Sequence, residues 1–457
     1  MGKTGKSKKL TVIGAGITGL AAAYYACRRG YDVTVFESSP QAGGLCGYFP
    51  VGDTTMEKYY HHVFCGHQVM MDLVAELGIQ SDLVFKKVRT GFYYSRRIYP
   101  FVNASDLLHF SALKLRDRLR MGVGAIAMMR IKDWRGIENR SALDWLNAYC
   151  GEDACRIVWT PLLRMKFGNN YDRISAAWIW NRVVDRRRAK KNSGNMETLG
   201  YIRGGYKKLL DAMMREIEKL GGRIHMGVSV QSIRTDGQAL AGVLANGSPS
   251  DADLVLATVP IPVFLQLVPE LPLDYAQSLS AIDYQGSTCV VLQLKHSLSP
   301  YYWINVGDPM SPFVGIIEHT NFIAPESYGG RHLVYLTSYA SSDDAIFSKP
   351  HEEIYREFAS YLKNIFPQFG NESTERYWVF QDRFSQPVFV RDYSKIMPAQ
   401  ATPIKNLYLL NTSQLYPESR CLNSSIAAAE RAVGEITAAS ARGVPRSSGY
   451  ESQKNAK

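Results

Sequence analysis

The chain has 457 residues, of which 46% are apolar and 21% charged. This composition excludes a disordered or fibrous chain and predicts two or three domains around a substantial core. The 53 basic and 42 acidic residues give a formal net charge of +11, which favours anionic partners such as phosphorylated compounds or acidic lipid surfaces.

No nucleic-acid-binding motif accompanies that charge, so nucleic acid is not an expected partner. Seven scattered cysteines without a C-x-x-C pair argue against a metal site and for a reducing, cytoplasmic setting. No apolar run approaches the roughly 20 residues that span a bilayer.

In chain order, the basic run from Lys3 to Lys9 imitates the start of a signal peptide, but the apolar stretch after it reads as the strand and helix of a nucleotide fold. Gly5-Lys6-Ser7 lacks the earlier glycine and the leading strand of a phosphate-binding P-loop. Residues 10–47 carry the main signal: an apolar strand, a turn with Gly14, Gly16 and Gly19, a helix, a second strand ending in Glu37, and the pair Gly43-Gly44. Gly14 permits the sharp turn, Gly16 a close approach to a pyrophosphate, and Gly19 close packing of helix on sheet. The helix N-terminus offers free N–H groups and a positive dipole end to phosphates. Glu37 stands 18 residues past Gly19, where a carboxylate can bind ribose hydroxyls. A dinucleotide site follows, with Gly14, Ala15, Gly16, Thr18, Gly19 and Glu37 as candidate cofactor residues.

The run ESSPQAGG at 37–44 resembles the extension found in FAD-binding flavoproteins of the amine oxidase, protoporphyrinogen oxidase and carotenoid desaturase group. The resemblance implies FAD and adds Gln41, Gly43 and Gly44 to the candidates. Gln41 stands where that family usually has arginine, so an amide replaces a charge-assisted donor.

Further along, 69–77 reads as an amphipathic helix closed by Gly78, 92–98 as a strand pair, and 103–190 as largely helical. Nucleotide-fold patterns return with Gly204-Gly205 and a helix to Leu220, a strand at 224–233, and a buried strand at 253–258. From 260 to 398 the pattern is mixed: strands at 289–295, 313–317 and 332–339 and a helix at 352–366. A short strand at 406–410 and a small-residue helix at 424–439 follow, and the polar tail from Gly443 is expected to be disordered. The fold class expected is α/β: a Rossmann-like FAD-binding domain from the discontinuous segments 8–90, 196–265 and 400–440. An inserted α+β substrate domain would comprise 91–195 and 266–399. The same flavoprotein resemblance, extended over nearly the whole chain, implies that Val230, Asn411, Ser425 and Ile426 also hold the cofactor. Family members usually carry an acid at the position of Asn411.

A narrower stretch, YYHHVF at 59–64, resembles the region of UDP-galactopyranose mutases in which a histidine lies over the flavin. It marks His62 as the candidate catalytic residue, able to hold substrate or move a proton near neutrality, and Tyr60 as a pocket wall. Arg96, Arg97 and His319 are candidate substrate contacts. The run from Arg186 to Lys191 reads as a solvated loop. The basic, apolar segment 107–131 either caps the substrate domain or lies on a membrane interface. The function expected is an FAD-dependent oxidation of a C–N or C–C bond in a small, lipophilic or diphosphate-containing substrate. The alternative is a non-redox flavin-dependent mutase acting on a nucleotide- or lipid-linked sugar.

Overall fold

A computed structural model describes residues 7–191, 197–418 and 420–442. Residues 1–6, which include Gly5 and Lys6, and the tail 443–457 lie outside the described residues, as do the side chains of 186–191. The backbone of the basic run up to Lys191 closes the helix Ala176–Lys191 rather than a loop.

Strand Lys9–Ile13 lies at the centre of a five-stranded sheet. Asp32–Glu37 and Leu254–Ala257 flank it, and Arg223–Met226 and Leu407–Leu409 form the edges, all in parallel register. Parallel strands covered on both faces read as nearly unbroken apolar runs, as KLTVI and LVLA do here. The crossover helix Ile17–Arg28 buries a stretch of alanines, 21–23 and 26, and packs against the helices Lys207–Lys219 and Leu422–Arg442. The mixed α/β class is therefore as expected, and this sheet draws on three separated stretches of chain.

The strand expected over 224–233 is two strands. Gly227, at φ 69°, turns the chain out of the parallel sheet after Met226. Its N–H then donates to Ser39 O at 2.9 Å, and that of Val228 to Glu37 O at 2.8 Å. Val230–Asp236 starts a separate three-stranded meander. Unbroken alternation on both sides of the glycine conceals the break.

A seven-stranded sheet runs in the order Thr374–Pro387, Tyr284–Leu294, His332–Ser341, Gly315–Glu318, Trp303–Val306, Thr90–Tyr94 and Arg97–Pro100. Only Trp303–Val306 and Thr90–Tyr94 pair in parallel. Helices Thr160–Phe167 and His351–Ile365 pack on it. A further sheet pairs Val63–Phe64 and Leu83–Val88 with the two sides of Glu197–Ile202, which anchors the end of the 59–64 segment.

A buried carboxylate joins these layers. Glu57 is almost wholly inaccessible and accepts hydrogen bonds from Tyr206 N–H at 2.6 Å and the Tyr201 hydroxyl at 2.7 Å, while its carbonyl accepts from the Tyr335 hydroxyl at 2.8 Å. Burial raises its pKa, and these donors oppose that shift. Gly205, at φ 89°, is required beside it, because a Cβ there would lie 3.0 Å from Thr55 O and 3.1 Å from Glu57 Oε1. The glycine pair at 204–205 thus closes the chain over Glu57.

His319 lies in the same aromatic layer, against Tyr201, Tyr328 and Tyr335, with its Nε2 2.7 Å from the Tyr328 hydroxyl. Burial pushes its pKa down to about 3. The folded protein then excludes a proton that the unfolded chain takes up below about pH 6.5. Its contribution to stability is complete above that pH and is lost as pH falls towards 3. Chemical denaturation at pH 6.5, 5.5 and 4.5 is expected to show falling stability. His319→Gln should reduce that slope by up to about 1.4 kcal/mol per pH unit.

Candidate functional site

The first strand ends at Gly14, at φ 102°, whose N–H donates to Phe36 O at 2.8 Å. Gly19 meets this turn from the helix, and a Cβ on it would lie 1.9 Å from Gly14 O. Gly16 is the N-cap and no side chain caps the helix, so its first-turn N–H groups remain available. Thr18 is partly exposed on that turn. Gly43 forms a bridge with Gly16, and its N–H donates to Ala15 O at 2.9 Å. A Cβ on Gly44, which is exposed at φ 56°, would stand 3.5 Å from Gly16 Cα. Two side-chain-free turns therefore face each other beside an uncapped helix end. That is a cleft shaped for a diphosphate.

Glu37 closes the cleft on its ribose side. Its Oε2 accepts from Ala15 N–H at 2.7 Å and its Oε1 from Ser39 N–H at 2.9 Å. The remaining lone pairs of a partly exposed carboxylate are left for hydroxyl donors. Gln41 points outward and is exposed. Val230 begins its strand with a nearly buried side chain.

At the far end of the sheet, Asn411 Nδ2 donates to Val259 O at 2.8 Å, and its Oδ1 accepts from Ser413 N–H and the Ser413 hydroxyl. The departure from an acid has a local cause: a carboxylate here would face the Val259 carbonyl without a proton to donate. One amide N–H of Asn411 remains unassigned by these bonds. Ile426 is fully buried. Ser425 is also buried, at the start of the helix Leu422–Arg442.

The sequence matches the family of flavin containing amine oxidoreductases over residues 17–437. The chain belongs to this family. AofH of Mycobacterium tuberculosis, provisionally named a flavin-containing monoamine oxidase, is 25% identical over 59% of this chain and 61% of its own length. Coproporphyrinogen III oxidase of Staphylococcus aureus is 21% identical over 60% of this chain and 66% of its own length. The matched region thus spans about three fifths to two thirds of these relatives. Among solved structures, one from Exiguobacterium sp., provisionally named a protoporphyrinogen oxidase, superposes with a TM-score of 0.75. It is 16% identical and covers 94% of this chain and 99% of that one. A reduced UDP-galactopyranose mutase gives 0.74 at 17% identity, over 94% and 96% of the two chains. At these identities the structures establish the shared fold. The family's cofactor is a flavin, FAD, and the empty-sided glycine cleft with Glu37 fits its diphosphate and ribose.

This flavoprotein has a second locus at residues 59–64. Tyr60, His62 and Phe64 alternate onto one side: His62 stands edge-on to Phe64 at 4.9 Å and to Trp303 at 5.9 Å, and Tyr60 meets Trp303 edge-on at 4.7 Å. His61 turns the other way, with Nδ1 2.7 Å from Tyr59 O, and burial lowers its pKa to about 4. The Tyr60 hydroxyl lies 3.0 Å from that of Tyr339. Tyr339 in turn lines a pocket of about 700 Å³ together with Asn147, Arg156, Thr160, Met165 and Pro312. The pocket wall thus combines residues of helix Thr160–Phe167 and of the large sheet, and Tyr339 links it to Tyr60.

The other candidates lie elsewhere. Arg96 sits at φ 62° in the tip of the hairpin between Thr90–Tyr94 and Arg97–Pro100, and Arg96 and Arg97 are exposed. Arg97 stacks over Tyr99 at 5.0 Å. His319 lies behind Tyr335, one ring removed from Tyr60. The cations that do approach Tyr60 are Arg420 and Arg182, with Lys166 over the Tyr339 ring at 4.5 Å. Lys166 and Arg420 were not singled out from the sequence, in a chain with 53 basic residues.

Gly19→Ala tests the cleft directly. The added methyl must displace the Gly14 carbonyl, so a loss of about 1–3 kcal/mol and a preparation depleted of flavin are expected, read by denaturant unfolding and visible absorbance.

Proposed function

We propose that this FAD-dependent oxidoreductase oxidises a C–N or C–C bond of a small or lipophilic substrate. The FAD unit would comprise 8–90, 196–265 and 400–440, and the substrate unit 91–195 and 266–399. The observation that carries the reading is the junction of the 700 Å³ pocket with the Tyr339–Tyr60 pair and His62. When bound, the flavin supplies the two-electron acceptor for a hydride from substrate carbon. The backbone at Ala15, Gly16, Thr18, Gly43 and Gly44 would hold the diphosphate and Glu37 the ribose. Val230, Asn411, Ser425 and Ile426 would contact the rest of the cofactor. His62 would orient the substrate or carry a proton, and the rings of Tyr60, Phe64 and Trp303 would exclude water from the reacting atoms.

The purified protein is expected to be yellow. Anaerobic mixing with amines, amino acids and unsaturated lipophilic compounds should bleach the flavin with one class. A flavin that stays oxidised with all of them, and a sugar rearrangement that runs only after prior reduction, would overturn this reading in favour of the mutase.

The surface beside the pocket supports membrane contact. Helix Leu115–Met129 buries Met121, Gly124 and Met128, yet Leu115, Leu119, Val123 and Ile126 form an exposed stripe on its opposite side, Val123 at 67% exposure. Lys114, Arg116, Arg120 and Arg130 are also exposed. Arg120 donates to Asn147 O, on the pocket wall, and to Ala148 O, each at 3.3 Å. The segment thus caps the helical layer with one face and presents the other to a surface that accepts both apolar and cationic groups. No helix among the described residues is long and apolar enough to cross a membrane. This stripe supports a reading of peripheral docking on an anionic bilayer, in which each basic residue near the surface would contribute about 1 kcal/mol. Flotation with phosphatidylserine vesicles should recover the protein. Leu119→Asp with Val123→Asp, or vesicles of phosphatidylcholine alone, should leave it in solution.

A further inference from the structure

Lys166 stands on helix Thr160–Phe167, which packs against strand His332–Ser341. Its ammonium lies over the Tyr339 ring at 4.5 Å, over Trp178 at 5.6 Å and over Phe167 at 6.0 Å. Its side chain is half-buried. The preceding residue, Met165, and its ring partner, Tyr339, both line the 700 Å³ pocket.

The charges acting on Lys166 are Arg182 and Arg420, and both are positive. Burial first, and then these two cations, hold its pKa well below the ordinary lysine value. Among the described residues Lys166 has no carboxylate within ion-pair distance. Arg420 donates to Ser385 O, and its charge also acts on Asp382, on the Tyr59 side. A buried cation faced by further cations is unfavourable unless an anion joins it. Three aromatic faces supply only part of that compensation. The cluster gathers where the pocket meets Tyr60.

We propose that Lys166, with Arg420 behind it, seats an anionic group of the substrate, a carboxylate or a phosphate, against the Tyr339 ring. The inference rests on the oxidoreductase reading of the pocket and specifies its substrate class. A family member acting on simple amines has to bind a cation or its neutral form. This pocket instead selects a molecule carrying an oxyanion at some distance from the bond to be oxidised, and Tyr60 and His62 lie between the two ends. The exposed Arg156 and Arg164 at the mouth add to the positive field along the entry path.

The test uses the flavin-loaded enzyme titrated with benzoate, phenyl phosphate and the neutral benzamide, followed by the visible flavin spectrum and by calorimetry. Benzoate, phenyl phosphate or both should bind, and benzamide should bind at least about tenfold more weakly. The stronger of the two anions identifies the group. Lys166→Met should raise the anion dissociation constant about tenfold or more, and Lys166→Arg should restore it. Removing an uncompensated buried charge should also raise the melting temperature of Lys166→Met, whereas loss of a purely structural lysine would lower it. Equal binding of benzoate and benzamide, or an anion affinity unchanged in Lys166→Met, overturns the proposal. A yellow protein indifferent to anions defeats this inference alone. A protein that takes up no flavin defeats the reading beneath it.

Discussion

Helix Ile17–Arg28 can reach the sheet only because Gly19 has no side chain: a single methyl would occupy the position of the Gly14 carbonyl. That approach determines much else. It brings an uncapped helix end to the tip of the first strand and sets Ala15 N–H at the carboxylate of Glu37. It also allows the second glycine turn to pair with Gly16 through Gly43. The alanine-rich face of the same helix lets Lys207–Lys219 and Leu422–Arg442 pack close by, so segments far apart in sequence share one layer. A close contact between two backbones thus underlies both the diphosphate cleft and the gathering of the parallel sheet. Helix dipole, free N–H groups and absent side chains then act in one direction, towards an anionic ligand.

The cofactor half was legible in the sequence because its requirements are local. Positive φ at Gly14 and Gly43, a strand with Glu37 at its end and the spacing between them are all written within residues 10–47. Longer-range features were legible only in outline. Alternation across 224–233 looked like one strand, because nothing in the side chains marks the point where the backbone leaves the sheet for Ser39 and Glu37. The glycine pair at 204–205 read as the opening of a nucleotide-fold helix, while the tight contact of Gly205 with Glu57, 148 residues back along the chain, has no local signal. The short strands Tyr48–Val51, Thr54–Glu57 and Glu197–Ile202 went unread. The first two form a local hairpin across Gly52-Asp53, and the third depends on pairing with the distant Val63–Phe64 and Leu83–Val88 more than on intrinsic preference.

The substrate side was harder for a related reason. Arg96 and Arg97 drew notice because they are adjacent, but Arg96 in the Ser95-Arg96 hairpin tip and Arg97 at the start of the next strand are both exposed to solvent. Tertiary packing brings Lys166, from helix Thr160–Phe167, and Arg420, from the loop before the last helix, towards the Tyr60–Tyr339 pair. Period-two alternation through Tyr60, His62 and Phe64 is the one signal in this region that the sequence does show, and it assigns His62 and His61 to opposite sides.

Charge then separates this site from its surroundings. Glu57, also buried, is satisfied by three tyrosines: the Tyr201 hydroxyl and the Tyr206 main-chain N–H meet its carboxylate, and the Tyr335 hydroxyl meets its carbonyl. Its burial is a structural arrangement complete within the fold. Lys166 has aromatic faces and like charges in place of such partners. A fold that satisfies one buried charge so fully and leaves another without a counter-ion is arranged for something outside the chain at the second. The polar atoms of a ligand are the remaining source of that compensation, and the open pocket at Tyr339 is where such a ligand can enter.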